Sequence, residues 1–257
     1  MEDSLSLKNK NILVTGVSRA SGIGAAVARM CAQSGANVIV HGNPQYDISM
    51  GYPDASVSFC CDLEKDYNVR VLASTDLSAN GEPEKVIRSA QNLFGNLDGI
   101  VLNHAYSVNS TIFDCTAKNI DSHFNINVRA SMLMIQSFAK QIDKSKGGVV
   151  TLFTSGQYLG PMTNEIAYAV SKEAIRGLCV QASAALASHN IRVNCINPGP
   201  TDTSYLTGSA YDEIAKMFPS GRWGTPNDAA RLVHFLHSDY AKWITGQTIA
   251  SEGGFQR

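Results

Sequence analysis

The chain has 257 residues, of which 44% are apolar and 17% charged, with a formal net charge of −1. So small a charge offers no basic field to nucleic acid, and the apolar share supplies a core rather than a disordered tail. No apolar run approaches the ~18 residues of a membrane span, and the opening "MEDSLSLKNKN" has no signal-peptide core, so a soluble, cytoplasmic protein is expected.

In chain order, "NILVT" (11–15) reads as a buried strand leading into "TGVSRASGIG", a glycine loop. A helix follows and stops at Gly35, a plausible C-cap. "NVIV" (37–40) is the second strand. Residues 41–68 resist the pattern: Gly, Pro and Asn crowd the first half, and Val57, Cys60, Cys61 and Glu64 suggest only a short helix. Strands are then expected at 69–73, 99–103, 148–153 and 191–196, with a weaker one at 247–251. Between them lie helical patterns from Pro83 to Gly95, from Ala117 to Gln141, from Ala167 to Ser188, and from Pro226 onward. Apolar rather than alternating strands suit a parallel sheet covered on both faces. The expected architecture is α/β: one doubly wound domain over 1–257, with a parallel sheet of about seven strands and helices on both faces.

The six cysteines, Cys31, Cys60, Cys61, Cys115, Cys179 and Cys195, form no C-x-x-C pair and are expected as reduced core thiols. His234 and His237 are three apart but lack further ligands nearby, so no metal site is expected.

A glycine loop before a helix N-terminus offers backbone N–H groups and a positive dipole end to a pyrophosphate. Here the glycines fall at Gly16, Gly22 and Gly24, a longer first gap than in the usual dinucleotide fingerprint. NAD-binding versions place an acid after the second strand. This chain has His41, Gly42 and Asn43 there, and Arg19 in the loop is able to pair with a 2′-phosphate. NADP(H) is therefore the favoured cofactor and NAD(H) the alternative. Asp47, the nearest downstream carboxylate, would weigh against NADP if its loop folds back toward Arg19.

Further on, Tyr168 and Lys172 are four residues apart on one helix face, and Ser155 ends the fifth strand, at the sheet edge where ligands bind. An ammonium beside a phenol stabilises the phenolate. Tyr168 would then exchange a proton with a carbonyl or alcohol oxygen held by Ser155.

These motifs resemble the short-chain dehydrogenase/reductase family along nearly the whole chain. "TGVSRASGIG" is similar to the family's TG-x-x-x-GIG with two extra residues, and "NPGPTDT" (197–203) and "ITGQTIASEGG" are similar to later family segments. "LNHAY" stands where the family has NNAG, keeping Asn103 and Ala105 but carrying His104 and Tyr106. The "TSGQ" and "GPM" stretches look most like bacterial 3-oxoacyl-carrier-protein-reductase-like members. The resemblance implies a Rossmann fold and hydride transfer between nicotinamide and a carbonyl or secondary alcohol. It implies Asn127, Ser155, Tyr168 and Lys172 as catalytic residues, with Asn127 holding a water that links Lys172 to solvent. The implied cofactor contacts are Gly16, Ser18, Arg19, Gly22, Ile23, His41, Asp76, Leu77, Asn103, Ala105, Tyr168, Lys172, Pro198, Gly199, Thr201 and Thr203. It also implies a homotetramer built on the 117–141 and 167–188 helices. By position, 204–224 would be a substrate lid, with Tyr205, Leu206, Tyr211, Met217 and Phe218 on its inner face. An enoyl-thioester reductase and a non-catalytic dinucleotide sensor are the alternatives. The four-residue tyrosine–lysine spacing argues against the first, and the presence of both residues against the second.

Overall fold

The computed structural model describes residues 5–52, 55–56, 58–204 and 206–256. Its strands are β1 (Asn11–Thr15), β2 (Asn37–His41), β3 (Val69–Val71), β4 (Gly99–Leu102), β5 (Gly148–Phe153), β6 (Ile191–Asn197) and β7 (Thr248–Ala250). All pair in parallel, in the order β3-β2-β1-β4-β5-β6-β7. The strand order reverses between β1 and β4, the switch point at which an open α/β sheet leaves a crevice beyond its strand ends.

The helices are α1 (Ile23–Gln33), α2 (Pro44–Ser49), α3 (Cys60–Asp66), α4 (Glu82–Phe94), α5 (Ala117–His123), α6 (Ser131–Gln141), α7 (Ile166–Leu186), α8 (Ser209–Lys216) and α9 (Pro226–His237). Strand pleating sends alternate side chains to opposite faces. Ile12 and Val14 join Val38, Val40 and Val101 against α1 and α9, whereas Leu13 joins Ile39, Ile100 and Leu152 against α4, α6 and α7. Both faces of the central strands are thus buried in apolar cores, which is why their sequences carry no polar alternation.

Two departures from the sequence pattern matter for the site. The helix expected over 117–141 is interrupted by a wider π-helical stretch, Phe124–Ala130, between α5 and α6. And the region 41–68 contains a second short helix besides the expected one. Asn43 caps α2 by accepting from the Tyr46 N–H, and Pro44 occupies its first turn. Of the residues thought to mark the other helix, Val57 lies outside the described residues. The weak last strand is present as a three-residue element.

Cys31, Cys115, Cys179 and Cys195 are free thiols, and only Cys115 is not buried. Nothing is described of the Cys60 and Cys61 side chains. Among the described residues, no helix is long and apolar enough to cross a membrane, and no three His, Cys, Asp or Glu side chains gather as a metal site would require. His237 instead packs in the core, its Nε2 hydrogen-bonded to Thr151 Oγ1 at 3.1 Å, and burial pushes its pKa down to about 3.

Candidate active site in the β1–β4 crevice

The crevice at the switch point is a cleft of about 450 Å³. Its floor is the glycine loop. Gly16 has φ +71°, and a Cβ there would stand 2.8 Å from Asn103 Nδ2 and the His104 nitrogen. A Cβ on Gly24 would lie 2.6 Å from the Gly16 carbonyl oxygen. The loop is therefore folded tightly onto the exit of β4, where Asn103 Nδ2 donates to Gly16 O at 3.0 Å. Gly22 begins α1 without any side-chain cap, so the first N–H groups and the positive helix end are left for an anion. Gly16, Ser18, Arg19, Gly22, Ile23, His41, Asp76, Leu77, Asn103, Ala105, Tyr168 and Thr203 all line this one cleft.

The cleft fits a dinucleotide on a further observation. His41 is buried, its Nε2 is bonded to Thr75 Oγ1 at 3.0 Å, and its Nδ1 has no partner. A buried polar atom left unsatisfied beside a cleft awaits a ligand group. Burial lowers the His41 pKa to about 4, so it meets that group as a neutral imidazole. Ser18 serves the protein itself, its Oγ accepting from the Asn43 N–H at 3.0 Å. Gly42 explains the missing acid after β2: a Cβ there would overlap the Val17 carbonyl oxygen and crowd Ser18 Oγ. No side chain fits at that position, so recognition of the adenosine ribose falls to neighbouring residues.

Arg19 is the most connected of these. Its Nη1 donates to Thr203 O at 3.1 Å and its Nη2 approaches Thr203 Oγ1 at 3.4 Å. Its Nε lies 3.7 Å from Asp47 Oδ1, and its guanidinium carbon stands 3.8 Å from the Tyr52 ring centroid. The loop after β2 does fold back, and it brings Tyr46, Asp47, Met50 and Tyr52 to the cleft wall. Tyr46, Met50 and Tyr52 were not among the expected contacts, and Asp47 was expected here only if this loop folded back. The Asn43–Pro44 helix start is the local signal that could have placed them.

At the other end of the cleft, α7 presents Tyr168 in its first turn and Lys172 one turn later. Lys172 is 4% exposed; its Nζ donates to Phe153 O at 3.0 Å and lies 5.6 Å from the Tyr168 ring centroid. Burial lowers its pKa to about 8. Ser155 follows β5 by two residues in extended backbone, its N–H donating to Gln157 Oε1 at 3.2 Å.

Asn127 sits in the π-helical stretch. Its Oδ1 accepts from the Tyr106 N–H at 2.7 Å, while its Nδ2 donates to Tyr106 O at 3.0 Å and to Ser171 Oγ at 2.8 Å. Ser171 Oγ in turn donates to Tyr168 O at 2.8 Å. The Asn127 amide thus ties the loop after β4 to the turn of α7 that carries Tyr168. His104 packs into the same corner, hydrogen-bonded through Nδ1 to Thr15 Oγ1 at 2.7 Å, and burial drives its pKa down to about 3. The Tyr106 ring meets His123 edge-on at 4.7 Å.

Pro198, Gly199 and Thr201 follow β6 but do not line the cleft. Gly199 N–H donates to Asn197 Oδ1 at 3.0 Å, and Thr201 Oγ1 donates to Gly199 O at 3.2 Å. They shape the turn that delivers Thr203 to Arg19.

Burying Lys172 has an energetic consequence. Its pKa falls from 10.5 to about 8, so the folded state holds the charge against a penalty of up to about 3 kcal/mol below pH 8. Lys172→Met relieves that penalty but leaves the buried Phe153 O without this donor, which costs about 1–3 kcal/mol. The variant should melt no lower than wild type at pH 7. The gap should narrow as pH rises from about 8 toward 10.5, where the folded and unfolded lysines are both neutral. Thermal melts across that range check this; an advantage independent of pH would contradict it.

Comparison with known proteins agrees with this geometry. Residues 16–256 match a family model described as enoyl-(acyl carrier protein) reductase. The chain is 35% identical to an uncharacterized oxidoreductase, YjdA, of Bacillus subtilis, over 97% of this chain and 98% of that protein. It is 33% identical to dehydrogenase/reductase SDR family member 4 of Sus scrofa, over 96% and 88% respectively. Among solved structures, a dehydrogenase/reductase from Sinorhizobium meliloti superposes with a TM-score of 0.85 at 26% identity, covering 98% of this chain and 96% of that one. With a parallel seven-stranded sheet and a tyrosine–lysine pair at its switch-point cleft, the chain belongs to the short-chain dehydrogenase/reductase family of oxidoreductases.

Proposed function

We propose that this oxidoreductase transfers hydride between NADP(H), in preference to NAD(H), and a carbonyl or secondary alcohol. The observation that carries the reading is Tyr168 at the cleft with the buried Lys172 ammonium behind its ring. When bound, the dinucleotide supplies or accepts the hydride at its nicotinamide ring. Tyr168 gives the substrate oxygen a proton in reduction and removes it in oxidation. Lys172 holds positive charge beside the phenol and so stabilises its phenolate. Ser155 orients the substrate oxygen from the end of β5. Asn127 fixes the Tyr168 turn through Ser171 and would hold a water that links Lys172 to solvent. NADP(H) is favoured because Arg19 lines the cleft and Gly42 has no room for an acid, with Asp47, 3.7 Å from Arg19 Nε, as the counterweight.

A 3-oxoacyl thioester is the substrate class we favour. The chain is 31% identical to a 3-oxoacyl-[acyl-carrier-protein] reductase of Aggregatibacter actinomycetemcomitans. The description of the matching family model supports a second reading, reduction of an enoyl thioester. Consumption of NADPH with acetoacetyl and crotonyl thioesters separates them. Turnover of the first alone is expected; turnover of crotonyl thioester alone would establish the second, and inertness toward both thioesters and a broad carbonyl panel would overturn both.

Residues 204–224 would close over the substrate. The segment is held at its start by Arg19 on Thr203 and at its base by buried Trp223, whose Nε1 donates to Tyr211 O at 3.0 Å. Phe218 packs against Trp223 and Phe255 instead of facing the cleft, and Tyr205 lies outside the described residues. A homotetramer through α5, α6 and α7 belongs to the same proposal, supported by the exposed apolar side chains Ile120, Met132, Val170 and Val180 on those helices.

A further inference from the structure

We propose that Asp47 is a specificity-determining residue, which weakens the preference for a 2′-phosphorylated dinucleotide by competing with the phosphate for Arg19. The inference rests on the cofactor reading above and adds a residue to which nothing in the glycine loop points. Arg19 and Asp47 are mostly buried, their side chains 14% and 21% exposed. The guanidinium spans the cleft between two banks. On one side are Asp47 at 3.7 Å and the Tyr52 ring; on the other is Thr203, which accepts from both terminal nitrogens. All four residues line the cleft, and Gly42 leaves no room for another side chain where a ribose-binding acid would stand.

A 2′-phosphate carries about two negative charges at neutral pH. To reach Arg19 it can displace the neutral Thr203 acceptors, but the Asp47 carboxylate still flanks Nε and repels it. A ribose hydroxyl has the opposite relation to this pair, since it donates to the carboxylate and accepts from the guanidinium. Asp47 therefore favours the unphosphorylated ribose and opposes the phosphorylated one, while Arg19 does the reverse. Tyr52 keeps the guanidinium flat and in place by stacking.

The test is equilibrium titration of the whole protein with NADPH and NADH, followed by protein fluorescence. It uses wild type, Asp47→Asn, Arg19→Ala and the double variant. Asp47→Asn should tighten NADPH at least about fivefold, the factor for one pair of unit charges about 4 Å apart in a water-like dielectric, and weaken NADH, whose ribose hydroxyl exchanges a charged acceptor for a neutral one. The gain should shrink in the Arg19→Ala background, where the competition for the guanidinium is gone and only the direct repulsion remains to be relieved. Asp47→Ser serves as a second substitution should the amide disturb α2. NADPH affinity that is unchanged or weaker in both Asp47 variants overturns the proposal, as does an equal shift for both dinucleotides or a gain just as large without Arg19 as with it. Wild-type protein that binds neither dinucleotide overturns the cofactor reading itself, and this inference with it.

Discussion

Tyr168→Phe should lower kcat for carbonyl reduction by about 10²- to 10⁴-fold, the usual worth of a positioned proton donor. Dinucleotide affinity should stay within about twofold. The ring remains in the first turn of α7, held by the Ser171 bond to the Tyr168 carbonyl and by the Asn127 amide beyond it. Only the phenolic oxygen is lost, so the effect belongs to the proton step rather than to assembly of the cleft. Steady-state rates from the absorbance of the reduced nicotinamide, paired with a binding titration, give both quantities. A variant as active as wild type would remove Tyr168 from the chemistry, and a parallel collapse of binding would make it structural.

Acid should destabilise this protein early and steeply. His41, His104 and His237 are buried neutral, with pKa values lowered by burial to about 4, about 3 and about 3, and His123 is lowered as well. The sign follows from which state takes up protons. In the unfolded chain these groups protonate near 6.5, whereas in the folded chain they resist it. The stability they confer is complete above about pH 6.5 and is lost as pH falls toward the folded values. Each withdraws about 1.4 kcal/mol per pH unit below 6.5, so the first three together withdraw several kcal/mol by about pH 5. That is a large share of the roughly 5–15 kcal/mol that stabilises a typical domain. Carboxylates with lowered values, such as Asp228 at about 2, act only in more acidic solution. Urea midpoints between pH 7 and 4.5 should fall steeply, and less steeply in His237→Gln. A flat profile over that range would show that the imidazoles protonate without unfolding the chain.

β1, β2, β4, β5 and β6 were legible because each is a largely apolar run buried on both faces, a signal carried locally, whereas β3 and β7 are short and partly exposed. The candidate catalytic pair stood out for a related reason: Tyr168 and Lys172 share one helix face, and their spacing is fixed by the helix. What escaped depends on contacts between distant segments. Asp47 and Tyr52 belong to the cleft only because α2 folds back onto Arg19, and Thr203, 184 positions from Arg19, closes the same cluster. The π-helical turn at Asn127 leaves the apolar periodicity nearly intact, so the pattern over 117–141 reads as one helix. His104 reads as a departure from a motif, and its bond to Thr15 becomes visible only when β1 and β4 are adjacent.

The buried ammonium of Lys172 sets two selective pressures against each other. A screen that rewards heat resistance alone places no pressure on the chain to keep the lysine that the proposed proton step needs. Thermostabilising libraries built on this scaffold should therefore hold position 172 fixed, or score turnover in every round.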